Sequence, residues 1–218
     1  MTAPVLINAS ARQTATIIFM HGLGDTGHGW SGFFQMIKAP HVKYIFPTAP
    51  VNPVTLNGGF PMPSWFDIKG LSVEAEEDEP GIKSAAKTVH GWIDEEIKAG
   101  ISSDRIVLGG FSQGASLAIY SALTYPKPLG GLIALSTWFP LRSNIDEMTQ
   151  NRNIPMLQCH GDVDPMVSPM IGKATSDVLK KLNKDNHTFK TYSGMGHSSG
   201  EEEMRDVKSF IEKTLPPV

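Results

Sequence analysis

The sequence predicts an α/β protein in which a mostly parallel central sheet is covered by helices on both faces. Three observations carry that expectation. Short, nearly continuous apolar runs recur along the chain and read as strands buried on both faces. Amphipathic stretches with apolar residues at three- and four-residue steps lie between and after them. The 218 residues suffice for one closed core but not for two full-size α/β domains, so residues 1–218 are read as one domain.

The first apolar run is Ala15 to Met20, ending at His21-Gly22. Tyr44 to Phe46, Ile106 to Gly109, Gly131 to Leu135 and Pro155 to Cys159 have the same character. Pro47 to Pro80 stands apart: Pro50, Pro53, Pro61 and Pro63 punctuate it, with Gly58 and Gly59. Such a length of chain inside a compact domain reads as a functional loop with room for a small hairpin. Gly81 to Ala99 places Ile82, Ala85, Ala86, Val89, Trp92, Ile93 and Ile97 on one helical face, and Gly100 follows where a helix would stop. Gln113 to Tyr125 is small and apolar, as a helix packed on a sheet should be. Ser199 to Thr214 opens with Glu201, Glu202 and Glu203, which suits the positive end of a final helix.

Composition removes several function classes. Apolar residues make up 40% and charged residues 19%, so the chain can offset its ordering entropy by burial and is not of the disordered type. A formal net charge of −3 supplies no basic field for a phosphate backbone, and nucleic acid is excluded as a partner. Cys159 is the only cysteine, so neither an intrachain disulfide nor a thiolate metal cage is expected, and a reducing compartment follows. Residues Met1 to Gln13 lack a basic segment leading into an apolar one, Thr2 stands where myristoylation needs glycine, and Pro216-Pro217-Val218 contains no prenylation box. No apolar run approaches the roughly 20 residues that span a bilayer. The expected location is cytoplasmic.

Gly110-Phe111-Ser112-Gln113-Gly114 matches G-x-S-x-G with the context that motif requires, a buried strand before it and a small-residue helix after it. Glycines two before and two after the serine let strand and helix approach closely, leaving Ser112 clear at the carboxyl edge of the sheet. An alcohol is a poor nucleophile at neutral pH and needs a base, which in turn needs an orienting acid. On an elbow of this kind these follow in the order serine, acid, histidine. His160, His187 and His197 follow Ser112. His160 reads as the end of a strand and His187 as the start of another, whereas His197 lies in the loop Ser193 to Ser199 before the last helix and is the candidate base. Gly161-Asp162-Val163-Asp164-Pro165 offers two carboxylates that spacing alone does not separate. His160, Asp162 and Asp164 alternate like metal ligands, but with no second histidine or cysteine cluster nearby no metal is expected. The developing oxyanion requires donors. These are the backbone N–H of Gln113 and, from the loop after the first strand, that of Leu23.

That first loop, Gly22-Leu23-Gly24-Asp25-Thr26-Gly27, also spells the dinucleotide fingerprint G-x-G-x-x-G. The context argues against it. Gly27, His28, Gly29 and Gly32 make a poor start to the helix that the motif requires, and Tyr44-Ile45-Phe46-Pro47-Thr48 ends without the acidic residue that would hold a ribose. No cofactor is expected.

Taken in order, five segments resemble the acyl-protein thioesterase and lysophospholipase family, a small branch of the α/β-hydrolases. They are His21 to Trp30, Met62 to Asp67, Gly109 to Gly114, Cys159 to Asp162 with Asp164-Pro165, and Gly196 to Ser199. The resemblance covers nearly the whole chain. It implies a cytosolic serine hydrolase that removes long-chain acyl groups, notably palmitate, from cysteine thioesters on proteins, with side activity on lysophospholipids and simple esters. It assigns Ser112 as nucleophile, Asp164 as acid, His197 as base, and Leu23 and Gln113 as oxyanion donors. It also makes the proline-rich segment the wall of an acyl channel, to which Leu56, Phe60, Met62, Trp65 and Phe66 offer apolar area, with Trp138 and Met166 from later loops. Expected partners are S-acylated proteins and lysophospholipids, with transient contact to a membrane surface and a monomeric or weakly dimeric state. Three departures stand out: no cysteine lies among Met1 to Gln13 for lipidation, Ala115 replaces a frequent glycine, and Asn57 to Phe60 is locally distinct.

Overall fold

The computed structural model describes residues 2–70, 72 and 75–218. In chain order, β1 (Val5–Ile7), β2 (Ala15–Met20), α1 (Gly27–Ile37) and β3 (Val42–Phe46) are followed by β4 (Val51–Val54) and β5 (Phe60–Pro63). Then come α2 (Glu79–Lys98), β6 (Ile106–Phe111), α3 (Gln113–Thr124), β7 (Gly131–Leu135), β8 (Met156–Gly161), α4 (Pro169–Leu182), β9 (His187–Tyr192) and α5 (Glu201–Thr214). Seven strands form one sheet in the order β1-β3-β2-β6-β7-β8-β9. Only β1 runs antiparallel, against β3.

Alternation along the buried strands divides the core into two layers. Ile18, Met20, Leu108, Leu132 and Met156 face a layer containing residues of α2, α3 and α4, such as Ile82, Ile93, Leu117 and Leu179. Ile17, Phe19, Val107, Ile133 and Leu157 face α1 and α5 through Trp30, Phe34, Val207 and Ile211. This is the expected parallel sheet covered on both sides. The carboxyl ends of β2, β6, β7, β8 and β9 lie side by side, so the loops that leave them share one edge.

Local chemistry sets the helix bounds. Asp78 caps α2 by accepting the Gly81 N–H at 3.1 Å, with Pro80 in the first turn and Lys98 in the last. Three elements were not anticipated: β1, α1 and α4. The case of α1 corrects the glycine argument above, because a helix does begin at Gly27. A Cβ at Gly27 would lie 2.2 Å from the Phe46 carbonyl oxygen, so glycine is needed there for close approach. Interior glycines cost about 1 kcal/mol each, but burying Trp30 and Phe34 returns about 1.5–3 kcal/mol each. Their rings pack at a tilt against Phe19, with centroids 4.9 and 4.8 Å away. Burial outweighs propensity. The missing acid remains: β3 ends at Phe46 and runs into Pro47.

Within the proline-rich segment, β4 and β5 form a two-stranded antiparallel hairpin with Val54 opposite Phe60, closed by a single 3-10 turn at Thr55–Asn57. Val51 and Phe60 stand exposed on it. The final helix starts at Glu201 rather than Ser199, which leaves Ser198 and Ser199 in the preceding loop.

Candidate active site

Ser112 sits between β6 and α3 with φ 53° and ψ −119°, a backbone conformation costing on the order of 1–3 kcal/mol for a non-glycine residue. Several contacts hold it there. Its N–H donates to the Leu135 carbonyl at 2.8 Å, and its carbonyl accepts the Thr137 hydroxyl at 2.8 Å and the N–H groups of Ala115 and Ser116. The flanking glycines are required by contact: a Cβ at Gly110 would lie 2.4 Å from the Gly114 carbonyl carbon, and one at Gly114 would lie 2.3 Å from the Met20 carbonyl oxygen.

His197, after β9, lies with Nε2 3.0 Å from Ser112 Oγ and Nδ1 2.7 Å from Asp164 Oδ2. With Nδ1–H donating to the carboxylate, Nε2 is left to accept the serine proton. The other oxygen of Asp164 accepts the N–H groups of Met166 and Val167 at 2.8 and 2.9 Å, so the carboxylate is oriented before the ring arrives. Asp162 does something else: its Oδ1 accepts the Gly194 N–H at 2.7 Å and fastens the loop that carries His197. The two carboxylates that spacing could not separate thus have different partners.

His160 does not approach Ser112. Its Nε2–H donates to the Val167 carbonyl at 2.8 Å, behind Asp164, and burial lowers its pKa. His187 lies at the start of β9, with burial lowering its pKa to about 4. Gln113 supplies the first N–H of α3, one of the amides that helix geometry leaves unpaired. Among the described residues no intramolecular acceptor takes the Leu23 N–H, and Leu23 and Ser112 line the same cleft.

That cleft has a volume of about 540 Å³. Leu56, Met62, Trp138 and Met166 line it, as the apolar reading anticipated. Phe60 and Trp65 do not. Phe60 is 66% exposed on the hairpin. Trp65 is buried, its Nε1–H bonded to the His21 carbonyl at 2.8 Å and its ring stacked on His21 at 4.9 Å. Composition marks both residues as apolar but does not say which face of the segment looks inward. A second, partly open cavity of about 260 Å³ adjoins the cleft, the two sharing Ile68, Trp138, Met166 and Val167; Phe66 and Ile82 line the second together with charged Asp67, Lys69, Glu77 and Arg142.

Two side-chain roles important to the arrangement carried no sequence signal. The Gln113 side chain donates to the Ser64 hydroxyl at 2.9 Å and the Phe66 carbonyl at 2.7 Å, tying the proline-rich segment to the elbow. His21 donates from Nδ1 to the Gly22 carbonyl and accepts the Ala49 N–H at Nε2, a neutral ring whose pKa burial lowers. The bonds of Gln113 to Ser64 and Phe66 and of His21 to Ala49 join residues distant in sequence, which local pattern does not report.

A hydroxyl, an imidazole and a carboxylate joined in this order can perform nucleophilic acyl transfer. Comparison with known proteins agrees in class. A family model described as Phospholipase/Carboxylesterase matches residues 1–215. The chain is 43% identical to a protein of Gibberella zeae named acyl-protein thioesterase 1, over 99% of this chain and 97% of that one. It is 42% identical to its Neurospora crassa namesake, over 99% and 93%. The crystal structure of Zea mays acyl-protein thioesterase 2 superposes with TM-score 0.89 at 35% identity, covering 99% of this chain and all of that one. That of Arabidopsis thaliana SOBER1 gives 0.87 at 37%, covering 94% and 100%. The chain is a serine hydrolase of the α/β-hydrolase fold and belongs to the phospholipase/carboxylesterase family.

Proposed function

We propose that the protein is an acyl-protein thioesterase, releasing long-chain acyl groups from cysteine thioesters through an acyl-enzyme on Ser112. The observation that carries this reading is His197 bridging Ser112 and Asp164 at the floor of a mainly apolar cleft. The names of the similar proteins support the substrate class.

In the proposed cycle Ser112 Oγ attacks the thioester carbonyl while His197 takes its proton. The oxyanion is held by the Leu23 and Gln113 N–H groups. The tetrahedral intermediate collapses by breaking the C–S bond, the sulfur leaves with the proton returned by His197, and water repeats the sequence on the acyl-enzyme. Leu56, Met62, Trp138 and Met166 contact the acyl chain, and each methylene buried is worth about 0.8 kcal/mol. Leu56 and Phe60, exposed on the hairpin, make transient contact with a membrane surface from which S-acylated proteins and lysophospholipids are drawn. The enzyme works in the cytoplasm and acts as a monomer or weak homodimer.

A fluorophosphonate probe should label the protein, with the adduct mapping to the peptide containing Ser112. Ser112→Ala should abolish labelling and reduce kcat on S-palmitoyl peptide by on the order of 10⁶. Retention of more than a thousandth of the parent rate would reject the nucleophile. A protein that hydrolyses p-nitrophenyl acetate well but leaves S-palmitoyl peptide intact would instead be a small-ester carboxylesterase.

A further inference from the structure

Two groups stand out among the residues that line the cleft around Ser112. Ile68, Trp138, Met166 and Val167 also line the second cavity. Asp25, Trp30 and Phe33, from α1 and the loop before it, line only the cleft. An aromatic row runs into this second set from the catalytic ring: Phe111 packs on His197 at 4.7 Å, Trp30 on Phe111 at 5.1 Å and Phe33 on Trp30 at 5.6 Å.

Chemistry assigns the two sets different tasks. The imidazole that takes the serine proton must return it to the departing atom, so the leaving group lies against His197. The acyl chain, being apolar, takes the wall formed by Leu56, Met62, Trp138 and Met166. The row beginning at Phe111 then faces whatever is joined to the departing sulfur.

Charge in the cleft is one-sided. Asp25 is the only Asp, Glu, Lys or Arg among its described lining residues. Its Oδ1 accepts the Thr26 N–H at 2.7 Å, and the carboxylate lies over Gly29, where a Cβ would sit 2.2 Å from Oδ2. The group is therefore held in place, and no ion pair engages it among the described residues. A fixed carboxylate beside aromatic faces is a recognition set for an organic cation.

We infer that Asp25, with Trp30 and Phe33, forms a leaving-group subsite that selects acylated cysteines flanked by a lysine or arginine side chain. This inference rests on the acyl-thioesterase reading and adds a specificity element to it.

The test uses two S-palmitoyl peptides identical except that the residues flanking the cysteine are lysine in one and glutamate in the other. The wild-type protein should favour the lysine peptide in kcat/KM by about fivefold or more, a preference that shrinks as salt is raised. In Asp25→Asn the ratio should fall toward unity. Because both peptides are read in the same protein, the ratio is insensitive to a loss of overall activity. Should Asp25→Asn fail to fold, the salt dependence of the wild-type ratio and its reduction in Phe33→Leu decide the matter. Equal rates on the two peptides in wild type, or an unchanged ratio in Asp25→Asn, would overturn the subsite. Failure of wild type to cleave either peptide while still turning over p-nitrophenyl octanoate would count against the thioesterase reading itself.

Discussion

Among the described residues two glutamates are buried, and they receive opposite treatment. Glu96 accepts from Lys43 Nζ at 2.6 Å, Thr16 Oγ1 at 2.7 Å and Gln13 Nε2 at 3.2 Å. Glu203 is fully buried in the first turn of α5, and neither carboxylate oxygen has a hydrogen-bond partner. Burial, reinforced by the Asp206 carboxylate, pushes its pKa up to about 7. Between an ordinary carboxylate pKa near 4.5 and 7 the unfolded chain has released this proton and the folded one has not. Stability therefore declines as pH rises through that window and levels off above it. Glu203→Gln should match the parent in urea midpoint near pH 4 and exceed it at pH 8.5, by on the order of 3 kcal/mol if the whole shift is recovered. Coincident urea curves at pH 8.5 would show that the carboxylate is solvated or paired after all. Residue-scale chemistry of this kind is hidden in the sequence, where Glu201, Glu202 and Glu203 look alike. That Ser112 and His197 belong to one site was legible because a hydroxyl between two glycines and a histidine in a glycine-flanked loop are rare combinations with specific uses.

At the scale of elements, the turn between β6 and α3 depends on a backbone-to-backbone approach that no side chain can share. Gly114→Ala would set a methyl 2.3 Å from the Met20 carbonyl oxygen and 2.4 Å from that of His21. Neither can yield without shifting β2, so a destabilisation of about 3 kcal/mol or more is expected in urea melts. Gly91→Ala is the contrasting case. Gly91 lies within α2 with nothing within 4 Å of the added Cβ, and that change should stabilise by about 1 kcal/mol. The same comparison explains what the sequence revealed. Strands β2, β6, β7 and β8 were legible because burial on both faces leaves an unbroken apolar run. Helix α1 was not, because its glycines argue against it locally while Trp30 and Phe34 are recruited by Phe19 and Phe46 from other elements. Strand β1 has three residues and takes its order from pairing with β3. Phe60 and Trp65 were misplaced for a related reason: which side of a hairpin faces a cleft depends on what the hairpin is tied to, here through Gln113.

At the scale of the whole molecule, the parallel sheet assembles the site by ordering strands. Leu23 follows β2, Ser112 follows β6, Thr137 follows β7, Asp164 follows β8 and His197 follows β9, and these strands are consecutive neighbours in space. The cost of that arrangement falls unevenly. Ser112 rises from a central strand bonded on both sides, whereas β9 is bonded to β8 alone and leaves much of its length exposed. The imidazole is thus carried by the sheet's margin, secured by Asp162 and by the packing of α5. Margins fray before centres do. Warming or mild urea should therefore silence turnover at conditions where far-ultraviolet circular dichroism still registers an intact sheet, and removing the denaturant promptly should restore the rate in full. If the two signals instead fade together, the periphery is as firmly seated as the interior. A drop in specific activity would otherwise be the earliest sign that this protein has begun to loosen.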